Sequence, residues 1–248
     1  MNPRIKDKFQ LLWERYFNHA ELPITFYYTN EEGHAELVEP NSMSRCLIGA
    51  LSHVRKGRSL CFNIDSIGCT GGKRYLGFTT SLRSEFEYFL SCGIPGRMEG
   101  ERYKKTPELV KESMTYWPKF EAPARYTIFK RWDMLEESDS PEVVIFFAEP
   151  DVLSGLFTLF NFDEAEQNRV IAPFGAGCST IVQYPYLEKR SDHPRAVIGM
   201  FDISARPFVP GNILTFTVPI NKLVTMIENM EESFLTTKSW AAVQKRIK

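Results

Sequence analysis

Two stretches of the chain set a cysteine among glycines. Cys69 stands in IGCTGGKRYLGF (residues 67–78), just ahead of Gly71 and Gly72, and Cys178 ends PFGAGC, where Gly175 and Gly177 flank Ala176. The second stretch reads as a short apolar strand, a tight turn and a helix start. Glycine lets the backbone adopt positive φ and approach a ligand closely, and the first free N–H groups of a helix point at the same spot. A thiol held there has its thiolate favoured by the helix dipole, which suits a metal ligand or a nucleophile. In the first stretch the successive N–H groups form a candidate anion nest, with Lys73 and Arg74 beside it.

Three chemistries follow. In the first, Cys46, Cys69 and Cys178 converge on a metal, either zinc or an iron–sulfur cluster, with a fourth ligand from Cys61, a histidine or substrate. Against it, the five cysteines contain no C-x-x-C pair, and His19, His34, His53 and His193 show no metal-ligand spacing. In the second, Cys178 is the nucleophile of a cysteine-dependent enzyme, with His53 or His193 as its base. In the third, a small anionic ligand is held without catalysis by Gly71, Gly72, Lys73, Gly175, Gly177 and Arg206. The plain structural alternative is that the thiols fill a core, the glycines close turns, and Asp202 with Arg206 is an ion pair. Turns that gather at one edge of a sheet form a crevice, so the sequence predicts the three cysteines around one pocket.

Composition limits the partners. With 30 basic and 31 acidic residues the formal net charge is -1, so no bulk field recommends nucleic acid or an anionic membrane. The opening MNPRIKDKFQ has no apolar h-region, and no apolar run approaches the ~20 residues of a membrane span. A cytoplasmic protein with reduced thiols is the expectation. GAGCST lacks the lysine of a phosphate loop.

The elements that must position these residues read as α+β, with mixed sheets and helices. Residues 4–18 have apolar positions at three- and four-residue spacing. Ile24 to Tyr28 is β-rich and precedes a polar loop, Thr29 to Pro40. Asn41 or Ser42 caps a helix with Met43, Leu47, Leu51 and Val54 inward, closed by Gly57. Ser59 to Ile64 reads as a strand and residues 80–92 as a helix. Thr106-Pro107-Glu108 is a strong helix start. Tyr126 to Met134 and Val143 to Ala148 read as strands, and Val152 to Phe162 as an apolar helix covered on most sides. Strands at Ala196 to Ile203 and Ile213 to Val218, then a helix after Pro219 and a basic tail helix, complete the chain.

The polar EESDSPE (136–142) divides residues 1–135 from 136–248, and each half runs strand, helix, strand, Gly-Cys turn. The sequence therefore suggests a pseudo-repeat in which Cys69 and Cys178 are equivalent. Arg45-Cys46, the C-x-G-G at Cys69, Gly71 and Gly72, the G-x-G-C at Gly175 to Cys178, and a late Gly199, Asp202, Arg206 pattern occur in that order. In these motifs, over nearly its whole length, the chain resembles the uncharacterised ArCR (archaeal conserved region) family, domain of unknown function 169. The resemblance implies no activity.

Overall fold

The computed structural model describes residues 1–40, 42–44 and 46–247. Asn41 of the expected helix cap and Arg45 of the Arg-Cys motif lie outside the described residues. In chain order the elements are α1 (Pro3–Phe17), β1 (Ile24–Thr29), β2 (Glu36–Leu37), α2 (Leu47–Arg55), β3 (Leu60–Phe62), α3 (Thr70–Tyr75), α4 (Phe86–Phe89), α5 (Pro107–Met114) and β4 (Tyr126–Arg131). There follow β5 (Val143–Ala148), α6 (Pro150–Phe160), β6 (Val170–Ile171), a π-helix (Ser179–Gln183), α7 (Tyr184–Glu188), β7 (Ala196–Gly199), β8 (Leu214–Pro219), α8 (Ile220–Asn229) and α9 (Lys238–Gln244).

One eight-stranded mixed sheet, in the order β2-β3-β4-β1-β5-β8-β7-β6, runs through the molecule and makes it α+β. Its central strand explains the layering. Along β5, Val143, Ile145 and Phe147 face one core while Val144, Phe146 and Ala148 face the other. A strand buried on both faces reads as a continuous apolar run rather than an alternating one. Each of these Val, Ile and Phe side chains contributes about 1.5–3 kcal/mol on burial. Helices α1, α6, α8 and α9 cover one face, with Phe9, Trp13, Leu156, Leu223 and Trp240 in that core. On the other face lie α2, the π-helix and α7, through Leu47, Leu51, Ile181 and Tyr186. The α1 pattern works as read: Asn2 caps Arg4 N, Pro3 opens the helix, and Phe9, Leu12, Trp13, Tyr16 and Phe17 are buried.

Strand order repeats between the halves. From the outside inward one half runs β2, β3, β4, β1 and the other β6, β7, β8, β5, and β1 pairs antiparallel with β5 at the centre. In each half the outer pair is parallel, β2 with β3 and β6 with β7. Parallel neighbours need a crossover, which is α2 in one half and the π-helix with α7 in the other. Cys46 immediately precedes α2 and Cys178 immediately precedes the π-helix. The topological counterpart of Cys178 is thus Cys46, not Cys69. The sequence reading missed β2, two residues inside the polar loop, and so matched α2 to α6; those helices lie on opposite faces of the sheet.

Other elements depart from the pattern. Residues 80–92 hold only the single turn α4. The apolar α6 has Phe157 42% exposed, with Phe162 45% exposed beyond it, so its outer side is open. Segment 136–142 is pinned rather than loose. The buried Asp139 accepts from Glu136 N at 2.7 Å, Lys130 Nζ at 2.9 Å and the Tyr27 hydroxyl.

Candidate functional site

On the α2 face, a cavity of about 740 Å³ opens between the two crossover helices and the segments 82–118 and 172–176. Cys46, Cys69 and Cys178 all line it. They do so although the carboxyl ends of β3 and β7 point oppositely, since five antiparallel steps separate these strands in the sheet. Long connections folding over one face, rather than a shared sheet edge, bring the thiols together.

Each thiol has its own setting. Cys69 is the residue before α3, half-buried, and its Sγ accepts the Gly72 N–H at 3.1 Å. The expected nest is therefore a helix start whose free N–H is taken by sulfur. A Cβ at Gly71 or Gly72 would lie 3.6 or 3.7 Å from that Sγ, and one at Gly72 would also meet Ile67 Cγ2 at 2.8 Å. Burial pushes the Cys46 thiol pKa up, against the opposing pull of the Gly49 and Ile48 N–H groups. Cys178 is 7% exposed. Burial, then the neighbouring Cys69 and Cys46 and the Asp202 carboxylate, raise its pKa well above the ordinary thiol value. That reverses the sequence expectation of a thiolate favoured at a helix start. Neither His53 nor His193 lines the cavity, so Cys178 lacks the base assigned to it. Cys61 is buried in a separate cluster with Tyr27, Tyr126 and Ile128, outside the cavity lining, where burial raises its pKa to about 12. It cannot supply a fourth ligand. Among the described residues, no three His, Cys, Asp or Glu side chains group closely enough to hold a metal ion.

The G-x-G-C turn already holds an anion, and that anion belongs to the chain. Asp202 Oδ2 accepts the Gly177 N–H at 2.9 Å, while Oδ1 accepts from Tyr103 OH at 3.2 Å, Ser204 N at 3.0 Å and Ser204 Oγ at 2.8 Å. Gly175 and Gly177 are absent from the positive-φ residues. They are needed for space, because a Cβ at Gly175 would meet Ser179 Oγ at 2.6 Å and one at Gly177 would meet Ala205 Cβ at 3.0 Å. Arg206 does not face the cavity. Its guanidinium donates to the carbonyls of Met200, Pro210, Gly211 and Ile213, so it braces the 200–213 loop and makes no pair with Asp202. Lys73 is absent from the cavity lining as well.

After Cys178 the chain forms a π-helix, in which Tyr184 N donates to Ser179 O. Pro185 has no N–H for the carbonyl of Thr180. That carbonyl accepts instead from Thr217 Oγ1 at 3.0 Å, a hydroxyl projecting from β8. The i→i+5 pattern brings residues five apart into line, so Cys178, Ser179, Gln183 and Tyr184 all reach the cavity. Pro185 was the one sequence signal for this device.

Sequence reasoning missed most of the wall. Tyr75, Phe86, Phe89, Tyr103, Trp117, Phe174 and Tyr184 surround the thiols, and Tyr116, Phe174 and Phe201 are 79%, 68% and 54% exposed at the rim. Three cations stand among them. Arg74 lies over the Trp117 ring at 5.9 Å, Arg83 over Phe89 at 4.2 Å and Lys104 over Phe174 at 4.6 Å. Among the described residues none of the three is paired with a carboxylate, whereas Arg55, Arg131, Arg169 and Arg195 all are.

A family model described as uncharacterised ArCR (DUF169, COG2043) matches residues 16–229, which is most of the chain. No curated protein and no solved structure matches.

Proposed function

The chain belongs to the uncharacterised ArCR family, whose name carries no activity, and from the geometry of the cavity we propose that it binds a small aromatic molecule bearing an anionic group. The observation that carries this reading is the coincidence of three cations without carboxylate partners, Arg74, Arg83 and Lys104, with an aromatic wall around about 740 Å³. Aromatic walls with a few convergent polar groups are the usual make-up of a small-molecule site. Arg74 also donates to the Thr80 carbonyl, but among the described residues no carboxylate neutralises any of the three, and stacking is favourable by about 0.5–1 kcal/mol at exposed positions, too little to explain three by itself.

This reading shifts the anion from the glycine turns to the rim. The turns are already satisfied, by Cys69 Sγ at Gly72 and by Asp202 at Gly177. Catalysis by Cys178 gains no support from a buried, protonated thiol without a base.

Trp117 gives a direct test. It lines the cavity, while Trp13, Trp132 and Trp240 are buried at 2%, 0% and 4% exposure in the core on the other face of the sheet. Titration with 1-anilinonaphthalene-8-sulfonate should quench Trp117 saturably, and Trp117→Phe should remove that quenching. Saturable binding that leaves Trp117 emission untouched refutes the assignment of the site.

A further inference from the structure

This inference rests on the small-molecule reading and narrows the ligand. The π-helix lies against the sheet, where Thr217 Oγ1 donates to Thr180 O at 3.0 Å, so its cavity-facing residues form the floor. Gln183 is one of them and is only 5% exposed. Its Nε2 donates to the Pro118 carbonyl at 3.1 Å, which fixes the amide, because Oε1 in that place would set acceptor against acceptor. Among the described residues Oε1 accepts from no donor, the second Nε2 hydrogen has no acceptor, and Oε1 is not sealed off in the core. Buried side-chain amides are nearly always partnered, so one held with an open acceptor in a cavity lining points to a ligand that donates to it. The carboxylates of the lining, Glu101 and Asp202, have no hydrogen to give it, and Asp202 is already satisfied by four donors of the chain.

We infer that the ligand is a planar nitrogen heterocycle whose inner edge carries a cyclic amide, and that Gln183 reads this edge: Oε1 accepts the ring N–H while the free Nε2 hydrogen donates to the adjacent ring carbonyl. A ring locks its amide in the cis form, so N–H and C=O point the same way and match the two groups of a glutamine amide. The surroundings suit a flat ring. Pro118, which anchors the amide, directly follows Trp117, whose ring lines the cavity. The hydroxyls of Tyr75 and Tyr184 line it as well and make no hydrogen bond among the described residues. Burial raises both their pKa values, that of Tyr75 to about 12, so each stays a hydroxyl able to donate to a second ring carbonyl or nitrogen.

The experiment titrates the full chain with two matched flavin pairs, flavin mononucleotide against its N3-methyl derivative and riboflavin against N3-methylriboflavin, read by quenching of flavin and Trp117 emission. The flavin ring presents N3–H between two carbonyls, and the methyl group removes that donor alone. The parent protein should bind the N3–H member of a pair about tenfold or more tighter than the methylated one. Gln183→Met, which keeps the length and removes the amide, should abolish the difference. Should that variant misfold by circular dichroism, the parent with flavin labelled at N3 by nitrogen-15 takes its place: the bound N3–H signal should be protected from exchange with water and show cross-relaxation to the Gln183 amide hydrogens. A preference seen in the riboflavin pair without any binding of the phosphate-bearing pair supports the inference and removes the anionic part of the small-molecule reading. Equal affinities within each pair, a preference that survives Gln183→Met, or a bound N3–H that exchanges freely overturns the inference and leaves the small-molecule reading standing. Failure of every flavin to bind while anilinonaphthalene sulfonate still quenches Trp117 overturns it too. If neither flavins nor the sulfonate bind, both readings fall together.

Discussion

Replacing Asp202 by Asn tests whether the G-x-G-C turn is held by an internal anion. The carboxylate accepts four hydrogen bonds, one on Oδ2 from Gly177 N and three on Oδ1 from Tyr103 OH, Ser204 N and Ser204 Oγ. Asparagine offers one acceptor oxygen, so it keeps the three-donor side and turns its NH₂ toward the Gly177 N–H. The loss is one charge-assisted bond and a donor set against a donor, about 1–3 kcal/mol. For a chain of this size that corresponds to a fall in Tm of roughly 2–4 °C per kcal/mol. Urea unfolding measures the stability, and alkylation of Cys178 with iodoacetamide under native conditions measures the loosening, which should speed labelling because Cys178 adjoins Gly177. A variant within about 0.5 kcal/mol of the parent, with unchanged Cys178 labelling, refutes the argument that Asp202 holds the turn.

Other perturbations follow from the same physics. Leu156→Ala, at 1% exposure in the α6 core, should cost about 2–5 kcal/mol in urea unfolding. Gly155→Ala should cost about 1–3 kcal/mol by overpacking, since its Cβ would sit 2.4 Å from Trp240 Cη2 and 2.8 Å from Phe17 Cε1. Burial works to raise the Asp139 pKa, but the Glu136 N–H, Tyr27 and Lys130 outweigh it and hold the carboxyl below its ordinary value. The stability it contributes is therefore complete above the unfolded value of about 3.9 and is lost as pH falls through the folded one. Asp139→Asn should flatten that acid limb of a stability–pH curve. In the parent, Cys178 should alkylate at pH 8 at least about tenfold more slowly than the exposed Cys92, as mass spectrometry of tryptic peptides will show.

How far the sequence carried the reading depends on the range of each signal. Local signals were legible: the spacing of Phe9, Leu12, Trp13 and Tyr16 marked α1, the Thr106-Pro107 start marked α5, and the unbroken run Val143 to Ala148 marked a strand, which the fold buries on both faces. Cys69 and Cys178 were singled out by neighbouring glycines and Cys46 by the Arg-Cys motif, and the fold does set all three on one cavity. What stayed hidden was non-local. β2 exists only because Glu36 and Leu37 find β3, so nothing in the loop announces it. The aromatic wall is assembled from segments around 75, 86, 103, 117, 174 and 184, none with a period that marks a shared surface. Arg206 looked like an anion ligand because the carbonyls that saturate it come from turns at 200 and 210–213, whose approach only the fold reveals.

The claim that the cavity takes an anionic aromatic ligand is tested most directly by a matched pair of probes, a naphthalene sulfonate and its neutral sulfonamide, titrated against Trp117 emission. Binding at Arg74, Arg83 and Lys104 predicts the sulfonate to be the tighter of the two by about tenfold, a preference that weakens with salt and disappears when all three cations are replaced by Gln. Equal affinity of the two probes for the parent protein, or a preference that survives the triple replacement, contradicts it.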